Sequence, residues 1–168
     1  AQLEKLSEDD CTTGDLTGKP VHFDEYMQLL GGSKFSMGPA FLVPENIAPP
    51  VKAVLVTREN AGILQDQFKW QAEEIDYSQP CAALVIDNKA VSVCCSVRIT
   101  PDAHEAGIDT AEAYRGSGYA LEVLAKWAAQ VRLHGSVPLY STSWDNLASQ
   151  SVAKKSGLIF YGSELWID

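Results

Sequence analysis

Arg115-Gly116-Ser117-Gly118-Tyr119-Ala120, with the segment that follows it to Leu133, is the stretch that decides the fold. Apolar residues recur every three or four positions over residues 118–133, which predicts an amphipathic helix that ends near Gly135. The buried stripe is expected to comprise Ala120, Val123, Leu124, Trp127, Ala128 and Val131. A glycine-rich turn that opens such a helix presents backbone N–H groups at the positive helix end, so it predicts a seat for an anion such as pyrophosphate.

A purely structural explanation of this turn also exists, because a tight connection between a strand and a helix needs glycine. Two neighbouring residues favour the functional interpretation. Arg115 supplies a fixed cation, and Ala120 keeps the first helical turn slim enough for a ligand to approach. The turn alone leaves both interpretations open.

Short strands and helices alternate on both sides of this turn. We expect strands at residues 53–57, 81–87, 90–99, 103–110, 137–143 and within 158–167, and a further helix at 59–70. The turn at residues 87–89 suits a hairpin because Asn88 tolerates positive φ. The last helix is expected to begin at Ser143 or Asp145 and to end at Gly157. This order predicts a mixed α/β fold, α+β-like, in which hairpins precede a strand-helix-strand crossover.

The first fifty residues carry the weakest pattern. A short helix is expected at residues 23–30, ended by glycines, and the prolines at 39, 44, 49 and 50 argue against a long regular element after it. We interpret residues 1–50 as an extension of unknown role. Three roles remain open for it: an appended subdomain, a lid, or an arm of a homodimer. The main domain is expected at residues 51–168, in a chain short enough for one compact domain overall.

Composition narrows the classes of partner. The 168 residues are 46% hydrophobic and carry a formal net charge of -9, which disfavours nucleic acid and acidic membrane surfaces. The same charge favours a cationic partner such as an amine, although charge that serves solubility alone is the commoner explanation. No apolar run is long enough to span a bilayer and the first residues are polar, so we expect no membrane partner and a cytoplasmic location.

The four cysteines show no metal-binding spacing, so we expect no metal. Cys94 and Cys95 are adjacent on a predicted strand and should point to opposite faces, while Cys11 and Cys81 stand alone in the sequence. Buried thiols that act as small apolar side chains are the preferred interpretation.

Two motifs together resemble the GNAT superfamily of acetyl-CoA-dependent N-acetyltransferases. The first comprises Arg115, Gly118 and Ala120, preceded by the acidic strand segment Glu105-Ala106-Gly107-Ile108. The second is similar to the Asn-based signature of the superfamily, and it consists of Asn146, Ser149, Lys155, Gly157 and Leu158. The resemblance covers about residues 51–167.

The resemblance implies a central mixed, largely antiparallel sheet with splayed strands, flanked by helices. The strand that ends at Thr110 and the strand that starts at Val137 would splay apart, and the pantetheine arm of acetyl-CoA would lie between them. Backbone groups of the first strand would pair with the arm, amides of the turn would hold pyrophosphate, and the Asn146 side chain would fix the arm. The implied cofactor-binding residues are Ile108, Asp109, Thr110, Arg115, Gly116, Ser117, Gly118, Tyr119, Ala120, Asn146 and Ser149.

The resemblance also implies an enzyme that transfers an acetyl group directly to a primary amine, of a small molecule or of a peptide, through a ternary complex. Glu105 is the candidate base, and the alternative is a structural carboxylate paired with Arg98. His104 is next to Glu105 on the strand, so it should point to the other face and be structural. Many relatives place a proton-donating Tyr seven residues after the Asn, where this chain has Ala153. Ser149, Tyr140, Tyr161 or water would replace it. The absence of that Tyr motivates a second hypothesis, an acyl-CoA-binding sensor or interaction module without turnover.

Overall fold

The structure is a computed structural model that describes residues 2–12, 16–47 and 50–168. Its helices within these ranges are α1 (Gln2–Thr12), α2 (Phe23–Leu30), α3 (Lys69–Glu73), α4 (Tyr119–Leu133) and α5 (Leu147–Lys155). Its strands are β1 (Phe35–Leu42), β2 (Val54–Val56), β3 (Cys81–Ile86), β4 (Lys89–Ile99), β5 (Ala103–Thr110), β6 (Val137–Ser141) and β7 (Ile159–Ile167). Short 3-10 helices lie at Ala61–Leu64 and Glu112–Tyr114.

The strands form a single seven-stranded sheet in the order β2-β3-β4-β5-β6-β1-β7. Neighbouring strands are antiparallel except β5 and β6, which are parallel and are connected through α4. The β3–β4 hairpin turns at Asp87 and Asn88, whose φ angles are 49° and 61°. The predicted mixed α/β fold, its hairpin and its crossover are therefore confirmed.

The parallel strands β5 and β6 pair over a short distance and then separate. Their register comprises Ala103 with Val137, His104 with Pro138 and Glu105 with Leu139. Beyond Glu105, β5 continues to Thr110 and stays paired with β4 on its other side. The predicted splay is confirmed, and it leaves one edge of β5 open over residues 106–110.

Helix α4 covers one face of the sheet. Its predicted apolar stripe packs on β3, β4 and β5, with Val123, Leu124, Trp127, Ala128 and Val131 fully buried. The Trp127 indole N–H donates to Ser96 Oγ over 3.0 Å, and Ser96 Oγ lies 2.9 Å from His104 Nδ1. This buried network fixes α4 to β4 and β5, and it confirms the structural role expected of His104.

A second apolar cluster lies on the opposite face, beneath the 3-10 helix Ala61–Leu64 and α3. The prediction of a single helix at residues 59–70 is therefore wrong, because these two short elements take its place. Cys95 belongs to this second cluster and Cys94 to the first, so their opposite orientation is confirmed. Cys81 is buried against Cys95, its register partner on β4, and therefore does not stand alone. Cys11 is exposed on α1, so the expectation of a buried thiol fails there.

The N-terminal part of the chain contributes a strand to the middle of the sheet. Helix α2 is confirmed and ends at Gly31, which has a φ of 65°. The prolines argue against a long regular element here, and that expectation is wrong, because the eight-residue strand β1 contains Pro39 and lies between β6 and β7. The Pro39 carbonyl accepts from Thr142, just after β6 ends. The nitrogen of Pro39, which carries no hydrogen, faces the same side as its carbonyl, where β6 has already ended. Few of the hydrogen bonds between β1 and its neighbouring strands are therefore lost. Helix α1, a polar helix, was not predicted.

Within the described ranges, no helix combines the length and apolar character that crossing a lipid bilayer requires.

Replacing Ser96 with Ala should destabilise the fold, because it leaves the buried Trp127 N–H and the His104 ring without a partner. An unsatisfied buried polar group costs about 1–3 kcal/mol. The measurement is the free energy of unfolding in urea. The control is Ser136→Ala, because Ser136 is also buried but makes one bond, to the Pro101 carbonyl. Equal losses in both variants would contradict the network.

Candidate functional site

The turn before α4 is held in a conformation that favours glycine. Gly116 and Gly118 have φ angles of 78° and 81°, and Gly118 is the N-cap of α4. A Cβ added to either glycine would meet nothing within 4 Å, so backbone conformation and not space requires glycine here. The turn brings successive amides to one end of the helix, as the sequence predicted.

The amides of this turn are without internal acceptors. Among the described residues, none of the five N–H groups of residues 116–120 has a hydrogen-bond acceptor, and the first paired amide is that of Leu121, which donates to Gly118 over 3.1 Å. Bare amides at the positive end of a helix attract anions. We call these five N–H groups the amide row.

A cavity of about 510 Å³ opens in front of the amide row. Its walls come from the end of β5, the turn, the start of α4, and α5. The cofactor-binding residues predicted from the sequence line it together, except for Ser117: Ile108, Asp109, Thr110, Arg115, Gly116, Gly118, Tyr119, Ala120, Asn146 and Ser149. Ser117 lines an adjoining cavity of about 430 Å³. Sequence reasoning did not assign a binding role to Tyr114 and Lys155, which also line the larger cavity.

Two cations stand at this cavity. Neither Arg115 nor Lys155 has a carboxylate partner within the part of the chain that the structure describes. Arg115 Nε donates to the Thr110 carbonyl over 3.3 Å, which leaves its terminal nitrogens free for an anion. Lys155 belongs to the second sequence motif, and that position was the signal that could have identified it.

The open edge of β5 presents the backbone groups of alternate residues. Ala111 donates to Val91 across the β4 side over 2.9 Å, and the Asp109 carbonyl accepts from Ser92 on that same side over 3.3 Å. Because backbone groups alternate along a strand, those of Ile108 and Thr110 point toward the gap. The Thr110 carbonyl is the one that Arg115 already engages.

Asn146 begins helix α5. Its Oδ1 accepts from the backbone N–H of Ser149 over 3.0 Å, which is the geometry of an N-cap. The predicted caps Ser143 and Asp145 are therefore wrong, since the Ser143 carbonyl instead accepts from Asn146 in the turn before the helix. With Oδ1 engaged, Asn146 keeps its side-chain NH₂ group as a donor at the cavity.

Tyr140 connects this cavity to a smaller one of about 250 Å³, because it lines both. Its side chain is buried, and Ser149 lines the larger cavity with it. Burial raises the pKa of Tyr140, and the nearby Ser149 only partly opposes that shift. The hydroxyl therefore stays protonated at neutral pH.

Glu105 lies in the smaller cavity, at the point where β5 and β6 separate. Its carboxylate accepts from Arg98 on one oxygen and from Ser141 on the other. The pairing with Arg98, considered as the alternative to a catalytic role, is thus present. Arg98 also bonds Glu164 and lies 4.2 Å from the centroid of the Trp166 ring.

The splayed sheet and the bare amides at the following helix match the architecture that the sequence resemblance implies. A sequence model of the GNAT acetyltransferase family matches residues 80–163, half of the chain. The chain therefore belongs to the GNAT acetyltransferase family. A search of curated proteins found no significant match.

Solved structures of the family share the fold. A GNAT acetyltransferase from Novosphingobium aromaticivorans has a TM-score of 0.66 at 16% identity, covering 80% of this chain and 64% of its own. An acetyltransferase of the GNAT family from Colwellia psychrerythraea has a TM-score of 0.62 at 15% identity, and the match covers 84% of this chain and 60% of that protein. A GCN5-related N-acetyltransferase-like protein from Streptococcus suis has a TM-score of 0.60 at 15% identity, and the match covers 86% of this chain and 66% of that protein. The chain spans less than two thirds of each of these relatives, and the likeness confirms the GNAT-type fold alone.

Replacing Asn146 with Ala should destabilise the protein by about 1 kcal/mol, because the N-cap of α5 is lost. Asn146→Asp retains the capping oxygen, so its stability should stay close to that of the wild type. Urea unfolding of both variants measures the difference. An Asn146→Ala protein as stable as Asn146→Asp would contradict the cap.

Proposed function

We propose that this chain is an acetyl-CoA-dependent N-acetyltransferase that passes an acetyl group directly to a primary amine in a ternary complex. The observation that carries the proposal is the amide row, which faces a cavity that extends to the buried Tyr140. Membership of the GNAT family supports the class of reaction. The overall negative charge and the carboxylates beyond Tyr140 support a cationic acceptor.

The residues around the larger cavity fit the chemistry of the carrier. The amide row, Arg115 and Lys155 together offer donors and positive charge to a pyrophosphate. The open backbone groups of Ile108 and Thr110 would pair with the amides of a pantetheine arm, and the Asn146 NH₂ group would bind an oxygen of that arm. Acetyl-CoA would supply the acetyl group as a thioester, whose C–S bond is broken in the transfer.

Glu105 would take the proton that a primary ammonium must lose before its nitrogen can act as a nucleophile. Because Arg98 occupies the same carboxylate, Arg98 must release Glu105 when the amine enters. The amine nitrogen then bonds to the acetyl carbonyl carbon as the C–S bond breaks. An N–H at the open edge of β5 would polarise that carbonyl.

Tyr140 and Ser149 would take over the function of the Tyr that Ala153 replaces. A thiol is more acidic than a buried phenol with a raised pKa, so Tyr140 keeps its proton. Its hydroxyl would instead donate a hydrogen bond to the departing sulfur, which leaves as a thiolate. Ser149, which lines the same cavity, would orient that hydroxyl. This assignment rests on the position of Tyr140, which lines both cavities.

Replacing Gly118 with Ala should weaken acetyl-CoA binding at least tenfold, because a residue with a Cβ is strained at a φ of 81° and the amide row would shift to relieve that strain. Calorimetric titration with acetyl-CoA measures the change.

The matched control is Gly135→Ala. Gly135 has a φ of 83°, also with nothing within 4 Å of an added Cβ, but it lies beyond the other end of α4. Both variants should lose about 1–2 kcal/mol of stability from the same backbone strain. Equal affinity for acetyl-CoA in the two variants would remove the turn from the binding site.

Replacing Glu105 with Gln should lower kcat by about 10²–10⁴, the usual effect of losing a general base. Release of free thiol from acetyl-CoA with a panel of primary amines measures this rate.

Tyr140→Phe should lower kcat by about 10–100-fold, the effect of one hydrogen bond to a charged atom. The same assay of thiol release measures the rate of this variant.

Tyr77→Phe is the control for Tyr140, because Tyr77 is 80% exposed. A rate unchanged by Glu105→Gln would remove Glu105 from the reaction. A wild-type protein that binds acetyl-CoA but releases no CoA with any amine would favour the sensor or interaction module instead.

A further inference from the structure

We propose that Arg98 restricts the acceptor to amines that carry a single positive charge, because its guanidinium already fills a second cation site in the acceptor cavity. This inference rests on the proposed function, since it concerns the cavity around Glu105. It names a specificity-determining residue and, through it, the class of substrate.

The cavity around Glu105 holds two carboxylates and one guanidinium. Arg98 bonds Glu105 and Glu164, and all three residues line the cavity. The two carboxylate side chains are 12% and 22% exposed, and that of Arg98 is 43% exposed. The three groups sum to one negative charge, which a single ammonium would balance.

The second cation site consists of Glu164, which lines the cavity, and Trp166, which lies beside the cavity and outside its lining. A carboxylate beside an aromatic face binds cations through charge and through the ring quadrupole. The Arg98 guanidinium lies over the Trp166 ring at 4.2 Å and bonds one oxygen of Glu164. The other oxygen, Oε2, is buried and has no donor within the described part of the chain. A second ammonium could therefore enter only if Arg98 were absent.

A β-bulge brings Tyr161 to this group. Phe41 pairs with Phe160 and Ala40 with Gly162, so Tyr161 is the extra residue of β7. Burial raises the pKa of Tyr161, and the charges of Glu164 and Glu105 add to that shift. The ring is thus close to both carboxylates and adds an aromatic wall.

The space beyond these residues suits an uncharged acceptor body. A cavity of about 420 Å³ between α1, α2 and β7 is also lined by Tyr161 and Glu164, so the two cavities adjoin. Its walls include Leu16, Leu30 and Met37, and its other carboxylate, Asp10, accepts from the Tyr26 hydroxyl over 2.7 Å. The acceptor class is therefore a primary monoamine with an apolar body.

The test compares butylamine with 1,4-diaminobutane, which differ in one charge at nearly equal length. The readout is the ratio of kcat/KM for the diamine to kcat/KM for the monoamine. Arg98→Met should raise this ratio about tenfold or more, because it opens the Glu164 site to the second ammonium. Arg98→Met with Glu164→Gln restores a cavity of one negative charge and should return the ratio to the wild-type value. Arg98→Lys keeps the charge and should leave the ratio unchanged.

Arg58→Met is the matched control, because Arg58 is an exposed arginine paired with Asp76 outside the lining of this cavity. An unchanged ratio in Arg98→Met, an equal rise in Arg58→Met, or a rise that Glu164→Gln does not reverse would overturn the proposal. Arg98→Gln is the second variant in case Arg98→Met does not fold. If neither folds while Arg98→Lys does, Arg98 is a structural residue and the proposal is wrong.

Binding of the two amines separates this proposal from the transfer reaction. Calorimetric titration of the protein with each amine measures binding in the absence of acetyl-CoA. If wild-type protein binds butylamine but transfers no acetyl group, the proposed reaction fails. The role of Arg98 is then decided by the ratio of the affinity for 1,4-diaminobutane to the affinity for butylamine, which should change in each variant as predicted above for kcat/KM. If wild-type protein binds neither amine, the inference about Arg98 is overturned whatever the reaction.

Discussion

Unpaired backbone amides at the start of α4 are the constraint on which the proposed chemistry depends. Two glycines with positive φ turn the chain so that the N–H groups of residues 116–120 have no acceptor within the described part of the chain, and four of these five residues line the larger cavity. Groups of this kind are costly to bury and are satisfied by solvent or by an anion. The stripe that buries the other face of α4, and the Trp127–Ser96–His104 network, hold this helix end against the open edge of β5.

The site joins two environments of opposite charge. Two cations and amide donors line the larger cavity together with one carboxylate, Asp109, while Glu105 and Glu164 line the smaller one, and Tyr140 lines both. This difference suits the proposed reaction between an anionic carrier and a cationic acceptor. Arg98 is the cation on the acidic side, where it bonds both carboxylates.

Periodic segments and local turn chemistry made much of this architecture predictable. The stripe on α4, the hairpin at Asp87 and Asn88, and the splay of β5 from β6 follow the sequence and the family resemblance. The strand β1 was missed because Pro39 argues against a strand locally, and only the neighbouring β6 shows where its nitrogen lies. The acidic cavity could not be predicted from the sequence either, since Arg98 and Glu164 are far apart in sequence and a bulge in β7 orients Tyr161.

An NMR titration of ¹⁵N-labelled protein with CoA tests the central claim most directly, because it observes the amide row itself. The account predicts that the largest shifts occur at the N–H resonances of residues 116–120, with smaller ones at Ile108 and Thr110 and none near Gly135. Saturable shifts confined to another surface, or no shifts at millimolar CoA, would contradict it.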